Sequence, residues 1–259
     1  MKPVLQVRNL GKNFGGLKAV SDLSFEIGEN EIVGLIGPNG AGKSTAFNLI
    51  SGALRPSAGS TMLHGRNITG MASSQVVRHG LARTFQSASV YPAATVAENL
   101  YRGALSTLQG SIWTHGLSTA KQRQAIARID QEVDEILDIT GLAPHRATLA
   151  GGLSYGHQKK LGVAIGIATR PALLLMDEPA AGLNGEECAE FGRLLRQLQG
   201  QRKLSMLLVE HHMAIVMELC HRIIVMVQGK KIAEGTPDEI RANPDVIEAY
   251  LGAPDYAHS

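Results

Sequence analysis

Cysteine is nearly absent: the 259 residues contain Cys188 and Cys220 and no others, and neither stands in a metal-type spacing. That excludes a disulfide framework and a cysteine-built metal centre, and it leaves two thiols expected to be reduced, as in a cytosolic protein. Excess charge of either sign is also lacking. A formal net charge of +2 produces no field that would draw a nucleic acid, and basic pairs such as Lys159–Lys160 and Lys230–Lys231 read as solvated surface. Long apolar runs are missing as well. The longest, such as residues 161–168, fall far short of the roughly 18 residues that a membrane span needs. The opening MKPVLQVRNL has no basic segment followed by an apolar stretch, so no signal peptide is expected. If a membrane takes part, another chain supplies it. No internal repeat or low-complexity tract is present. What remains is an ordinary globular composition, 44% apolar and 19% charged, in a chain long enough for one large α/β domain or for a core with a smaller subdomain.

Short apolar runs alternate with helical segments. Residues 4–7, 23–27 and 31–36 read as strands, and the last of these runs through a glycine-rich loop into a helix over 43–51 that Gly52 can stop. Further buried-strand patterns occupy 172–176, 205–209 and 222–227. Strands of this kind separated by helices predict a mostly parallel sheet covered on both faces. The middle, from about Ser87 to Gly152, has Ile129, Val133, Ile136 and Leu137 at helical spacing and reads as an inserted helical subdomain, with an irregular stretch near 108–118 that holds Trp113. Near the end, Val227-Gln228-Gly229-Lys230 suggests a hairpin. Thr236-Pro237-Asp238-Glu239 then fits a capping box with proline at the first helical position, and Asn243-Pro244-Asp245 repeats the cap-then-proline pattern.

Gly37-Pro38-Asn39-Gly40-Ala41-Gly42-Lys43-Ser44-Thr45 fits G-x-x-x-x-G-K-[ST] between a strand and a helix. A triphosphate needs backbone N–H donors brought close, which only small residues allow, and the helix that follows turns its positive end toward the anion. Lys43 can reach the β- and γ-phosphates, the Ser44 hydroxyl suits magnesium, and Thr45 supplies a further phosphate hydrogen bond. The four fixed positions would occur by chance in a chain of this length with a probability on the order of 1%. The pattern therefore establishes nucleotide binding and leaves the class of NTPase open.

The run 172–176 leads into Asp177-Glu178, which places carboxylates at the C-terminal edge of a sheet, where doubly wound folds bind ligands. Asp177 can hold magnesium directly or through water, and Glu178 can polarise an attacking water. An acidic pair in that position is equally at home as a helix cap. Upstream, Leu153-Ser154-Tyr155-Gly156-His157-Gln158 opens a helix whose N-cap is Ser154 by default. His211 follows Val209-Glu210 and, taken alone, fits a structural role, while Gln86 carries no signal by itself. His211 and His212, read as neighbours on a strand, would face opposite ways and so make no metal pair.

Taken in order, the phosphate loop, Gln86, the 153–158 signature, the acidic strand end and His211 resemble an ABC-type ATPase over almost the whole chain. The resemblance implies a phosphate-loop α/β fold with a mostly parallel core, an antiparallel β subdomain and the inserted helical subdomain. The implied divisions are a core over 1–86 and 153–234, the helical part over 87–152 and a helical tail over 235–259. It implies ATP and Mg2+ as ligands. Gly37, Asn39, Gly40, Ala41, Gly42, Lys43, Ser44 and Thr45 would cradle the phosphates, and Phe14 would stack on adenine. Ser44, Gln86 and Asp177 would serve the metal, with Gln86 also relaying to a membrane subunit. Glu178 would be the general base, and His211 would contact the γ-phosphate and order the water. Ser154 and Gly156 would bind the γ-phosphate of ATP held by an opposing subunit, so that ATP joins a dimer of this chain with itself or with a second ABC ATPase. Tyr155 and His157 depart from the family's common LSGGQ, and Asn184 in Ala181-Gly182-Leu183-Asn184 replaces its usual aspartate.

Finer features resemble the ATPases of branched-chain amino-acid uptake: Phe14-Gly15-Gly16-Leu17, the insertion after Asn99, Tyr155, DEPAAGLN over 177–184, and the tail over 243–252. This implies integral membrane permease subunits, an external substrate-binding protein, and a position on the cytoplasmic face of the inner membrane. Related urea and amide importers, lipopolysaccharide exporters and iron–sulfur assembly ATPases share parts of the pattern and form the alternatives.

Overall fold

The computed structural model describes residues 3–84, 90–106 and 120–251. Its chain divides into two units, one made by residues up to Arg83 together with those from Ala172 onward, the other by Thr84–Pro171.

The first unit contains two sheets. β1 (Leu5–Phe14) and β2 (Leu17–Ile27) form an antiparallel hairpin across Gly15-Gly16, and β4 (Ala58–Leu63) and β5 (Arg66–Asn67) complete a sheet in the order β2-β1-β4-β5. The second sheet, with β3 (Ile32–Ile36), β6 (Leu81–Thr84), β7 (Leu173–Asp177), β8 (Ser205–Val209), β9 (Arg222–Val227) and β10 (Lys230–Gly235), runs β10-β9-β3-β8-β7-β6. β9, β3, β8 and β7 pair in parallel, and β10 closes one edge as an antiparallel hairpin with β9. β3, β7 and β8 are buried at every residue, as strands covered on both faces must be. Helix α1 (Lys43–Ile50) touches strands of both sheets, and its Phe47, fully buried, joins Leu35, Leu175, Leu207 and Met226 in one core with Leu10, Leu23 and Phe25. The remaining helices of this unit are α2 (Ser73–Arg78) and, numbered after those of the second unit, α6 (Gly185–Arg202), α7 (Met213–Leu219), α8 (Pro237–Ala242) and α9 (Pro244–Leu251). The expected capping box at α8 is present, with Thr236 N–H donating to Glu239 and Glu239 N–H to Thr236 Oγ1.

The second unit packs α3 (Val96–Leu105), α4 (Ala120–Thr140) and α5 (Tyr155–Ala168) on one another. Ile129, Val133, Ile136 and Leu137, the positions at helical spacing, are all buried. The sequence reading set a boundary at 152/153, whereas the division by contacts falls at Pro171 because α5 packs on α3 and α4. Where the first unit's chain departs and returns, the Gly80 carbonyl accepts hydrogen bonds from both Ala172 N–H (2.7 Å) and Leu173 N–H (3.1 Å).

Two further differences have physical causes. The opening strands run well past residues 4–7 and 23–27, since backbone pairing across the hairpin continues through polar residues where the hydrophobic alternation stops. His211 and His212 lie beyond the end of β8 and not on the strand, so strand alternation does not govern where they point. No group of three or more metal-type side chains occurs among the described residues.

Candidate functional site

The site of the first unit grows from the join between β3 and α1. Gly37 has φ 150°, and a Cβ there would collide with the Met226 carbonyl oxygen of β9. Gly42 caps α1 at φ 96°, where a Cβ would lie 2.5 Å from the Ala19 carbonyl oxygen of β2. Both glycines are thus required by the neighbouring strands that press on the loop. The turn of the β9–β10 hairpin braces the same loop: Gly229 N–H donates to Ala41 O at 2.9 Å, and Ser21 N–H donates to Gly229 O at 2.7 Å. Lys43 Nζ donates to the Gly37 and Pro38 carbonyls at 2.7 and 3.0 Å, so the ammonium is held at the loop by its own backbone. Burial holds the Lys43 pKa below the ordinary lysine range, opposed by the carboxylates of Glu178 and Asp177.

A cleft of about 690 Å3, within the range of small-molecule sites, is lined by Phe14, Lys18, residues 39–45, Glu178 and Gln228. Phe14, at the end of β1, is 49% exposed and therefore no core residue, and Lys12 Nζ lies 5.2 Å from its ring centroid. Thus the fold brings Phe14, Asn39, Gly40, Ala41, Gly42, Lys43, Ser44, Thr45 and Glu178 to one cavity.

The acidic strand end divides into two environments. Asp177 is buried, and its Oδ2 lies 3.4 Å from Arg83 Nη2. Arg83 also donates to Asn48 Oδ1 (2.6 Å) and Ser51 Oγ (3.1 Å) and lies over the Phe47 ring, which ties Asp177 to the far end of α1. Burial pushes the Asp177 carboxyl above the usual range, Arg83 pulls it back, and Glu178 and Glu210 push it further up. Asp177 Oδ1 is buried with no hydrogen-bond partner among the described residues. Glu178, one residue on, has φ 47°, in the left-handed region that side chains seldom adopt, and its N–H donates to Val209 O at 2.8 Å. Its Oε1 is 3.7 Å from Nδ1 of His211, whose side chain is exposed.

In the second unit, Ser154 is the N-cap of α5, its Oγ accepting from His157 N–H at 3.3 Å and lying 3.0 Å from His157 Nδ1. His145 and His157 rings approach to 4.6 Å between centroids. Gly156 stands in the first turn of the same helix. Asn184 caps α6 through a reciprocal box with Glu187, at 2.9 Å in both directions. Gln86 and Trp113 lie outside the described residues. Sequence reasoning passed over Arg83 and Glu210. The one signal available was a charged residue beside an otherwise apolar strand, which by itself names no partner.

The family model described as ABC transporter matches residues 20–181, and a second, described as Branched-chain amino acid ATP-binding cassette transporter, matches residues 230–256. The chain is 42% identical over 251 residues to the high-affinity branched-chain amino acid transport ATP-binding protein LivG of Salmonella typhimurium, covering 97% of this chain and 98% of that one. It is 38% identical over 255 residues to the corresponding protein BraF of Pseudomonas aeruginosa, with coverage of 97% and 98%. Among solved structures, the ADP conformation of an ATP-binding cassette of an ABC transporter superposes with a TM-score of 0.84 at 27% identity, covering 97% of this chain and all of the other.

Proposed function

The chain belongs to the ATP-binding family of ABC transporters, and on that premise we propose that it is the ATP-hydrolysing subunit of an importer for branched-chain amino acids. The observation that supports the hydrolytic part is the single cleft in which Phe14, the phosphate loop and Glu178 meet. For the substrate, the support is the match of residues 230–256 to the branched-chain amino acid cassette.

Lys43, Ser44, Thr45 and the N–H groups of the loop hold the phosphates, while the dipole of α1 favours their charge. Ser44, Asp177 and Gln86 would hold Mg2+, and the buried Asp177 Oδ1, without a hydrogen-bond partner among the described residues, suits that ion or one of its waters. When bound, the ion supplies neutralisation of phosphate charge. Glu178 takes a proton from the attacking water, and His211 beside it orders that water at the γ-phosphate. Ser154 and Gly156 present an exposed helix N-terminus, suited to the γ-phosphate of ATP bound by an opposing copy or a second ABC ATPase. The further partners are integral membrane permease subunits and an external substrate-binding protein, with the chain bound at the cytoplasmic face of the inner membrane. No helix among the described residues is long and apolar enough to cross a membrane itself.

Deletion of this chain should abolish ATP-dependent uptake of labelled leucine, isoleucine and valine. Uptake of all three left intact, together with a defect in urea or amide uptake or in lipopolysaccharide export, would replace the substrate assignment.

Phe14 serves adenine as a stacking face and does not read its edge. By analogy with base–aromatic stacking, Phe14→Ala should weaken ATP binding by roughly 1–3 kcal/mol, whereas Phe14→Tyr keeps the face and should bind nearly as well. Titration calorimetry with ATP separates the two, and equal affinity in the alanine variant removes the stacking role.

A further inference from the structure

The mechanism above gives no task to the most deeply buried carboxylate near the cleft. Glu210, just past the end of β8, is 1% exposed. Its Oε1 accepts the N–H of Ala180 at 2.8 Å, and its Oε2 accepts those of His211 at 3.2 Å and His212 at 3.4 Å. Ala180 leaves the strand end that carries Glu178, so one side chain grips both the segment of the general base and the segment of the histidine.

The sheet cannot do this by itself. Pairing between β7 and β8 ends at Asp177 opposite Val209, and one more backbone bond, Glu178 N–H to Val209 O, finishes the ladder. Beyond it, the Glu178 and His211 side chains are 34% and 58% exposed. The three hydrogen bonds to Glu210 continue the register where the ladder stops, and a hydrogen bond to an ionised carboxylate is stronger than a neutral one. A buried charge without such partners would be costly, so the loops and the carboxylate depend on each other.

We infer that Glu210 is the positioning residue that sets the gap between the Glu178 carboxylate and the His211 imidazole at the γ-phosphate. This rests on the roles proposed above for those two residues. Glu210 is not among the residues that line the cleft, and its three hydrogen bonds come from Ala180, His211 and His212 rather than from the phosphate loop, so its loss should misplace the reacting groups while leaving nucleotide affinity alone.

The test uses the full chain in Glu210→Gln and Glu210→Asp, beside Glu178→Gln. The amide sets an NH2 against a backbone N–H, and aspartate, one methylene shorter, cannot reach both segments. Each Glu210 variant should lower kcat about 10- to 100-fold, the scale of a misplacement of about 1 Å, with the ATP Kd, measured by direct binding without Mg2+, unchanged. Glu210→Asp keeps the charge and preserves the test if the amide fails to fold. Wild-type turnover in a folded Glu210 variant, with hydrolysis lost in Glu178→Gln, overturns the positioning role alone. Wild-type turnover in Glu178→Gln overturns the assignment of the base and the positioning role with it. A fall in kcat matched by an equal loss of ATP affinity marks Glu210 as merely structural and also overturns it.

Discussion

Glu178→Gln is expected to bind ATP and hydrolyse it at least ~100-fold more slowly than the natural chain, the lower range for a lost general base. The substitution preserves shape at a residue whose backbone already sits at φ 47°, so the left-handed turn that presents the side chain is not disturbed. It removes the carboxylate that lines the cleft and leaves the phosphate loop untouched. ATP that cannot be cleaved should keep two copies together, so the variant should elute as a dimer in ATP and as a monomer in ADP. Single-turnover hydrolysis and size-exclusion chromatography measure the two effects. Near-normal turnover would remove Glu178 from the role of base.

Lys43→Ala should lose nucleotide rather than chemistry. Hydrogen bonds to charged groups contribute about 1.5–3 kcal/mol each, so loss of the contacts to two phosphates should raise the ATP Kd on the order of a hundredfold or more. The same ammonium donates to the Gly37 and Pro38 carbonyls, so the loop also loses an internal brace and the nucleotide-free protein should melt slightly lower. In a deletion strain the variant should fail to restore leucine, isoleucine and valine uptake. Unchanged ATP affinity, read by equilibrium binding, would show that the backbone N–H groups hold the phosphates without the lysine.

Both variants touch residues that the sequence alone already singles out. The phosphate loop was legible because its constraints are local: a close backbone approach, a helix start and a cation at fixed spacing all lie within residues 37–45. The parallel strands were legible because burial on both faces leaves near-continuous apolar runs, as in 173–176 and 205–209. β4, β5 and α2 escaped notice because they are short, and their existence depends on pairing or packing with other elements. Arg83 and Glu210 escaped for a different reason. Their partners lie 94 and 30 residues away, and a charge acquires its purpose from what the fold brings to it. Ser154 showed both of its candidate faces, since it is the helix cap that its default reading requires, and the same geometry leaves the helix end exposed.

The paired hydrogen bonds at Gly80 bear on how this chain tolerates change. The departing and returning strands are clasped before the intervening segment begins, so residues 84–171 amount thermodynamically to a loop with fixed ends. The entropy of closing such a loop grows only logarithmically, about 0.6 kcal/mol for each doubling of length. Length changes within it that spare Gln86, Ser154 and Gly156 should therefore cost the stability of the first unit little.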